Sequence, residues 1–114
     1  MLDDRQNGLL RDILDSATAI RRYLAGVSRE KFFADQEKQD AVLRRLEIIG
    51  EAASRLAPET QGLFPTVPFR SMRGMRNIIA HDYGEVNLAL VWETAAHDLD
   101  DLIQTLTQHF QAVP

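Results

Sequence analysis

The stretch RQNGLLRDILDSATAIRRYLA, residues 5–25, sets the fold class because its apolar residues recur at steps of three and four. That spacing lines them up along one face of a helix, which is the pattern of a helix that buries one stripe against its neighbours. Gly26 follows the stretch and predicts its end. The stripe consists of Leu10, Ile13, Leu14, Ala17, Ile20 and Leu24.

Working outward from this helix, two residues have side chains suited to starting further helices. Ser28 is expected to cap a short helical turn that reaches Phe33, and Asp35 is expected to cap a long helix. The long helix should stop before Pro58. Its apolar residues alternate steps of four and three, the seam of a helical bundle, and are Val42, Leu46, Ile49, Ala53 and Leu56.

The rest of the chain predicts a loop and two more helices. Residues 58–67 are rich in proline and glycine and predict a connecting loop. Pro68 suits the first position of a third helix, which Gly84 is expected to end. A last helix over about 87–110 would face inward with Leu88, Val91, Ala95, Leu99, Leu102, Leu106 and Phe110. We therefore predict one all-α domain over 1–114, an up-and-down bundle of four main helices plus a possible short one.

Composition narrows the class of protein. The chain has no cysteine, which excludes disulfides, cysteine-ligated zinc and thiol nucleophiles. No secretory signal and no apolar run long enough to span a membrane is present, so a cytoplasmic location is expected. The net charge of −4 argues against a general nucleic-acid coat protein. Between Pro68 and His81, however, Arg70, Arg73 and Arg76 meet no acidic residue, which favours selective binding of a phosphate chain.

The stretch RNIIAHDY, residues 76–83, carries groups that suit phosphodiester chemistry. Arg76 offers a permanent cation with a forked set of donors, and His81 is the candidate general acid and base near neutral pH. Asn77 can hold the imidazole or a phosphate by hydrogen bonding, and the Tyr83 hydroxyl can donate to a phosphate oxygen. Together these groups predict cleavage of RNA, whose 2′-hydroxyl is the nucleophile, without a metal or cofactor.

Helix geometry complicates this arrangement. Asn77 and His81 lie one turn apart on nearly one face, with Arg73 one turn before them. Arg76 and His81 are five residues apart, which on an ideal helix separates them by about 140°. Three solutions remain open: Arg76 reaches around the helix, the helix distorts near His81, or the site combines residues from two subunits. A two-fold dimer would form a cationic groove from two copies of the motif.

Structural roles for the same residues are also possible. Cations near a helix end can cap the last carbonyls, and Arg70 and Arg73 can belong to a solvated face. Met72 and Met75 are expected in the core, His97 in a structural or exposed position and His109 facing solvent. No dedicated metal site is expected. Glu47 and Glu51, one turn apart, are candidates to pair with Arg73 or Arg76 across the bundle.

The string Arg-Asn-x-x-x-His-x-Tyr at 76–83 resembles the signature of the HEPN superfamily, and more narrowly of its HepT-like toxin branch. The segments LEIIGEAA at 46–53 and VPFRSMRGM at 67–75 also match, and the similarity in length and helix order covers nearly the whole chain. Relatives often carry tryptophan where this chain has Phe69, a difference that affects packing at most. The resemblance favours the functional interpretation of the motif over capping.

The resemblance implies a homodimeric HEPN-like bundle with the two motifs facing each other, and metal-independent RNase toxin activity. It assigns the catalytic pair to Arg76 and His81, with Asn77 as the polar residue after the arginine. It also implies an MntA-like nucleotidyltransferase antitoxin that transfers AMP from ATP to Tyr83. Bulky anionic phosphate at that position would occupy the anion site and repel RNA.

Three functions remain in competition at this stage. The first is an endoribonuclease toxin of a two-gene module. The second is a non-catalytic nucleotide- or phosphate-binding partner of a nucleotidyltransferase, in which the arginines only bind phosphate. The third is a structural helical adaptor that uses its acidic surface to dock a partner. RNA turnover would distinguish the toxin from the non-catalytic partner. The adaptor would be favoured if Arg76→Ala changed complex formation but left growth inhibition and RNA binding unchanged.

Overall fold

The structure is a computed structural model that describes residues 2–81 and 87–112, with side chains described for 2–75 and 87–111. This part of the chain contains helices and no strand, which confirms the all-α class. The helices are α1 (Asp4–Leu24), α2 (Arg29–Phe33), α3 (Gln36–Ser54), α4 (Pro58–Gly62), α5 (Phe69–His81), α6 (Leu88–His97) and α7 (Asp100–Ala112).

Local side-chain chemistry sets the first three helices, as predicted. The Ser28 hydroxyl accepts a hydrogen bond from the Lys31 amide at 3.1 Å and starts α2. The Asp35 carboxylate accepts from the Lys38 amide, also at 3.1 Å, and starts α3. Gly26 has a φ of 73°, a left-handed conformation that other residues rarely adopt, and it follows the end of α1. These three predictions are confirmed.

The predicted loop over 58–67 is wrong in its first half, where α4 forms. Pro58 occupies the start of this short helix, where its missing N–H is not needed. The Gln6 side chain, from α1, accepts hydrogen bonds from the Ala57 amide at 2.9 Å and the Thr60 hydroxyl at 2.6 Å. Thr60 is buried beneath the turn. The contacts of Gln6 therefore stabilise α4, a helix that the local sequence pattern does not predict.

The predicted single last helix is divided into α6 and α7, so the expected number of four main helices is wrong. Asp98 caps the end of α6, and the Leu99 carbonyl accepts from the Ile103 amide at 2.9 Å where α7 starts. Asp100 and Asp101 lie in the first turn of α7, where the helix dipole favours acidic groups. The predicted inward face continues across the break: Val91, Ala95, Leu99, Leu102 and Leu106 are buried, and Leu88 and Phe110 are partly buried against the core.

The centre of the bundle is α3, which packs against both α1 and α5. α7 runs antiparallel to α1, because Arg21 near the end of α1 pairs with Asp100 at the start of α7, whereas Asn7 contacts His109 near the opposite ends. The fully buried side chains of the bundle include Leu10, Ile13, Ile20, Phe32, Val42, Ile49, Leu102 and Leu106. The core therefore surrounds α1 and α3 and also takes in buried residues of α2, α5, α6 and α7.

His109 does not face solvent as predicted. Its Nε2 lies 3.0 Å from the Asn7 side-chain oxygen, and the residue is half-buried. Its ring meets Phe64 edge-on at 5.2 Å between centroids and Phe110 at 4.9 Å. The imidazole therefore works as a packing group that joins α7 to α1 and to the segment after α4.

Candidate active site

The motif lies on α5, as predicted. Arg76, Asn77 and His81 occupy the last turns of α5 in the described part of the chain, and the backbone from Phe69 to His81 is continuous α-helix. This continuity gives no support to a helix distortion between Arg76 and His81. The side chains of 76–81, together with Tyr83 and Gly84, lie outside the described residues. How Arg76 and His81 come together, whether by reach of Arg76, by distortion near His81 or across two subunits, therefore stays a prediction.

The start of α5 is displaced by one residue from the prediction. Pro68 lies immediately before the helix, and its carbonyl accepts from the Met72 amide at 3.1 Å. Met72 and Met75 are half-buried and pack against the core. They also line a pocket of about 220 Å³ that Leu46 and Ile49 of α3 share with α6. The two methionines therefore anchor α5 to α3 without being enclosed on every side.

The charge at the start of α5 runs against the helix dipole. The first turns of α1, α3 and α7 each carry an acidic residue, whereas α5 has none there and instead carries the exposed Arg70. The positive end of a helix dipole lies at its N-terminus and disfavours a cation by about 0.3–1 kcal/mol. Helix stability therefore does not explain Arg70, an exposed residue in the first turn of α5.

Arg73 is half-buried one turn further along, and its Nε is buried with no hydrogen-bond partner among the described residues. A buried donor left unsatisfied costs about 1–3 kcal/mol. Of the two acidic residues expected to pair with Arg73 or Arg76, Glu47 lies 3.7 Å from Arg44 and Glu51 lies 3.0 Å from Arg55. Their pairing with Arg76 lies outside the described residues.

His97 is exposed, as predicted, and its Nε2 lies 4.0 Å from the Glu93 carboxylate one turn earlier on α6. The sequence analysis did not predict the contact between Glu93 and His97, although a spacing of four residues on a helix indicates one. Two ligands do not make a metal site, and among the side chains described, those of 2–75 and 87–111, no group of three or more histidine or acidic residues is placed to hold an ion. None of the helices within 2–81 and 87–112 is both long and apolar enough to cross a bilayer.

Comparison with known proteins identifies the family. The model of the family Ribonuclease HepT-like matches residues 13–109. The chain belongs to this family. The match spans the bundle from α1 to α7 and includes the motif on α5. Membership confirms the resemblance to HepT-like proteins of the HEPN superfamily and, at the level of the family, the predicted enzyme class of endoribonuclease.

Several curated proteins are similar to this HepT-like chain. The probable ribonuclease HepT of Thermococcus cleftensis is 34% identical over 93 residues, which cover 82% of this chain and 84% of that protein. A candidate RNase of Methanocaldococcus jannaschii is 32% identical over 93 residues, 82% of this chain and 77% of its own length. A candidate RNase of Caldanaerobacter subterraneus subsp. tengcongensis is 32% identical over 102 residues, 90% and 91% of the two chains. No solved structure matches significantly.

Proposed function

We propose that this HepT-like protein is a metal-independent endoribonuclease toxin of a type VII, MntA/HepT-like toxin–antitoxin module, and that it acts in the cytoplasm as one HEPN-like domain over 1–114. The observation that carries the proposal is the motif Arg76-Asn77-x-x-x-His81 on α5 of a chain that belongs to the Ribonuclease HepT-like family. The family supports the RNase activity, and the residues of the motif supply groups that can perform it.

The proposed reaction uses the nucleophile that RNA itself carries. The 2′-oxygen attacks the adjacent phosphorus as His81 takes its proton, and the bond from phosphorus to the 5′-oxygen breaks. The leaving 5′-oxygen receives a proton from the protonated imidazole of His81. The products are a 2′,3′-cyclic phosphate and a free 5′-hydroxyl. Arg76 binds the non-bridging oxygens as charge accumulates on them, and Asn77 orients the imidazole or the phosphate.

Arg70 and Arg73 are proposed to bind neighbouring phosphates of the same RNA strand. One feature supports this role: Arg70 is exposed where the helix dipole opposes a cation, and a bound phosphate would neutralise it. Arg73 lies one turn further along α5 and is half-buried, and because its Nε is closed to solvent, a phosphate could contact only the terminal nitrogens of its guanidinium. Both side chains lie on α5 ahead of the motif, so one strand can run along the helix toward His81.

The first test measures RNA cleavage with a chelator present. Wild-type protein should cut single-stranded RNA in EDTA and leave the same sequence in DNA intact, because DNA lacks the 2′-hydroxyl. His81→Ala should lower the rate by about 10²–10⁴-fold, the usual contribution of general acid–base catalysis. His97→Ala is the matched control, since this histidine is exposed and makes only a 4.0 Å contact with Glu93. Equal rates for wild type and His81→Ala would end the proposal.

We further propose that the active form is a homodimer in which the motifs of two chains face each other. The separation of Arg76 and His81 on a regular helix supports this arrangement, because a partner chain can supply the second group. The test mixes Arg76→Ala and His81→Ala proteins after they are unfolded and refolded together. If the site combines residues from both chains, the mixture should recover part of the activity that each variant lacks. A mixture as inactive as its components would place both groups in one chain.

The proposed antitoxin is an MntA-like nucleotidyltransferase that transfers AMP from ATP to the Tyr83 hydroxyl, with release of pyrophosphate. The phosphate would then lie two residues from His81 and repel the RNA backbone. Coexpression with such an enzyme should add one or more AMP units to the intact mass. Tyr83→Phe should abolish the adduct, and Tyr23→Phe, which changes the only other tyrosine, should keep it. An adduct that persists on Tyr83→Phe would remove this residue from its role.

The alternative function is a non-catalytic nucleotide- or phosphate-binding partner of such a nucleotidyltransferase. The exposed Arg70 at the start of α5, where the helix dipole opposes a cation, favours phosphate binding whether or not cleavage follows. Under this alternative, RNA or nucleotide would raise the melting temperature of the protein without turnover. Cleavage by wild-type protein, lost in His81→Ala, excludes it.

A further inference from the structure

A second arginine-lined groove lies away from α5. It has a volume of about 410 Å³ and runs between α1, α3 and α7. Its lining includes three arginines, two threonines and one acidic residue: Arg11, Arg22, Arg45, Thr18, Thr107 and Asp15. The charged groups leave a net charge of +2 on the lining, in a chain whose net charge is −4. The groove is therefore a local cationic surface on an acidic protein.

The three arginines of the groove lack the partners that other arginines have. Arg21, Arg44 and Arg55 each lie within 4.0 Å of a carboxylate. Among the described residues, none of the groove arginines does, although Asp15 shares the lining. Their donors therefore remain open to an external anion.

Two of these guanidinium groups are nevertheless fixed in position. The Arg11 guanidinium carbon lies 3.9 Å from the centre of the Phe110 ring, a cation–π contact. The Arg45 Nε donates to the Tyr23 hydroxyl at 3.2 Å. Each contact orients the group and leaves its other N–H donors free. Less side-chain entropy is lost on binding when a cation is already placed by an aromatic neighbour.

The arrangement along α1 indicates how long the ligand is. Arg11 and Arg22 are eleven residues apart, which is three turns and about 16 Å along the helix, and both lie on the same face. Thr18 lies between them on that face, and Thr107 approaches from α7. A single phosphate cannot reach both ends of this surface. An extended strand with several phosphates can.

We infer that this groove binds the phosphodiester backbone of single-stranded RNA at a second site, separate from the motif on α5. The inference rests on the proposed function only for the choice of RNA as the ligand. Arg11 contacts one phosphate at one end of the groove, and Arg22 and Arg45 contact another at the opposite end. The threonine hydroxyls donate to the backbone between them. The groove carries no histidine and contributes affinity without chemistry.

The test measures binding of a 2′-O-methyl RNA, which the proposed reaction cannot cleave, at several salt concentrations. A labelled strand of about 20 nucleotides covers the groove, and each phosphate contact on a single strand contributes about 0.7 to the slope of log K against log salt. The variant Arg11→Gln/Arg22→Gln/Arg45→Gln removes the contacts with two phosphates and should therefore lose about 1.4 from that slope. The control Arg5→Gln/Arg29→Gln/Lys31→Gln removes the same charge outside the groove and should lose much less. Circular dichroism melting shows whether each variant is folded.

A second variant separates charge from packing. Arg11→Lys/Arg22→Lys/Arg45→Lys retains the cations but not the forked donors, so it should keep most of the salt slope with a smaller loss of affinity. If the groove variant and its charge-matched control lose the same slope, the inference is wrong. Binding of ATP that the glutamine variant loses, with an unchanged RNA slope, would overturn it in favour of a nucleotide site.

Cleavage of unmodified RNA distinguishes this inference from the proposed function. The glutamine variant should need a higher RNA concentration to reach a given cleavage rate, so its KM should rise, because the groove contributes affinity and does not touch the reacting phosphate. Wild-type protein that binds RNA through the groove and never cuts it would contradict the proposed function and support the groove. If wild-type protein cuts RNA but the groove contributes nothing to binding, the proposed function is supported and the inference about the groove is wrong.

Discussion

The helices α3 and α5 pack against each other but begin with opposite charge. α3 starts at Asp35, whose carboxylate accepts from the Lys38 amide at 3.1 Å, and Glu37 follows in its first turn. α5 follows Pro68 and carries Arg70 in its first turn with no acidic residue. The first arrangement favours the helix dipole and the second opposes it.

The two helices also differ in how completely they are buried. On α3, Leu43, Leu46 and Ile49 are each at most 5% exposed. On α5, Phe69 is 3% exposed, but Met72 and Met75 are only half-buried, and the buried Arg73 Nε has no hydrogen-bond partner among the described residues. Natural sequences depart from the rules of stability mainly where function requires it. The described residues of α5 show such departures, and those of α3 do not.

The largest effect on stability should come from the buried face of α3. Leu43→Ala should lower the free energy of unfolding by about 2–5 kcal/mol, because it leaves a cavity in the core. Arg44→Ala, at the next residue, removes only an exposed contact with Glu47 and should stay within about 0.5 kcal/mol of wild type. Urea unfolding measures both values. Similar losses for the two variants would contradict the assignment of α3 to the core.

The largest effect on activity should come from α5. Arg76→Ala should reduce kcat by about 10²–10³-fold, the usual result of removing one group that stabilises transition-state charge. Arg76→Lys should recover part of the rate, because lysine keeps the charge but not the forked donors. Single-turnover cleavage of RNA measures both. If Arg76→Ala lowers the free energy of unfolding by as much as it raises the activation free energy of cleavage, Arg76 has a structural role instead.

Loss of the cap of α3 should have a moderate effect. Asp35→Ala removes the acceptor of the Lys38 amide and should lower the free energy of unfolding by about 1 kcal/mol. Asp35→Asn retains a capping oxygen and should be close to wild type. The midpoint of urea unfolding separates the two. A stable Asp35→Ala variant would weaken the contrast between the starts of α3 and α5.

The smallest effect should be a gain in stability at the start of α5. Arg70→Glu replaces a cation that opposes the helix dipole with an anion that favours it, and should raise the free energy of unfolding by about 0.3–1 kcal/mol. The same change should weaken RNA binding, because a phosphate ligand is replaced by a repelling charge. Urea unfolding measures the expected gain in stability, and fluorescence anisotropy of a labelled RNA measures the expected loss of affinity. A variant that loses both stability and RNA binding would show that Arg70 supports the fold.

Local signals predicted the first half of the fold. The apolar stripe of α1 and the caps at Ser28 and Asp35 depend on residues within one or two turns, so sequence spacing reveals them. α4 could not be found this way, because its hydrogen bonds to Gln6 join residues more than fifty positions apart. The partial burial of His109 could not be found either, because its contact with Asn7 joins residues 102 positions apart.

The break between α6 and α7 was missed for a different reason. The inward face from Val91 to Leu106 keeps its helical spacing across Asp98 and Leu99, so the apolar pattern does not record the interruption. The two acidic residues that follow, Asp100 and Asp101, are typical of a first helical turn and were the available signal. Periodicity identifies which residues are buried more reliably than it identifies where a helix ends.

The candidate site was predicted in part. The motif placed Arg76, Asn77 and His81 on one helix, and the backbone of α5 agrees. Whether their side chains act together depends on a second chain or on side-chain reach, which the spacing on one helix cannot decide. The groove on α1 shows the same limit, because Arg11 and Arg22 share a face by spacing, but Arg45 joins them only through packing of α3.

The central position of α3 affects which helix can open locally. α3 contacts α1, α2 and α5, so freeing its amide groups requires several seams to separate at once. The motif helix is held mainly along its seam with α3 and needs less to come away. Because amide protons exchange through the smallest opening that exposes them, α5 should exchange with deuterium well before α3 does. A ligand or inhibitor that binds α5 would slow that exchange. Deuterium uptake can therefore locate its binding site even when no reaction can be measured.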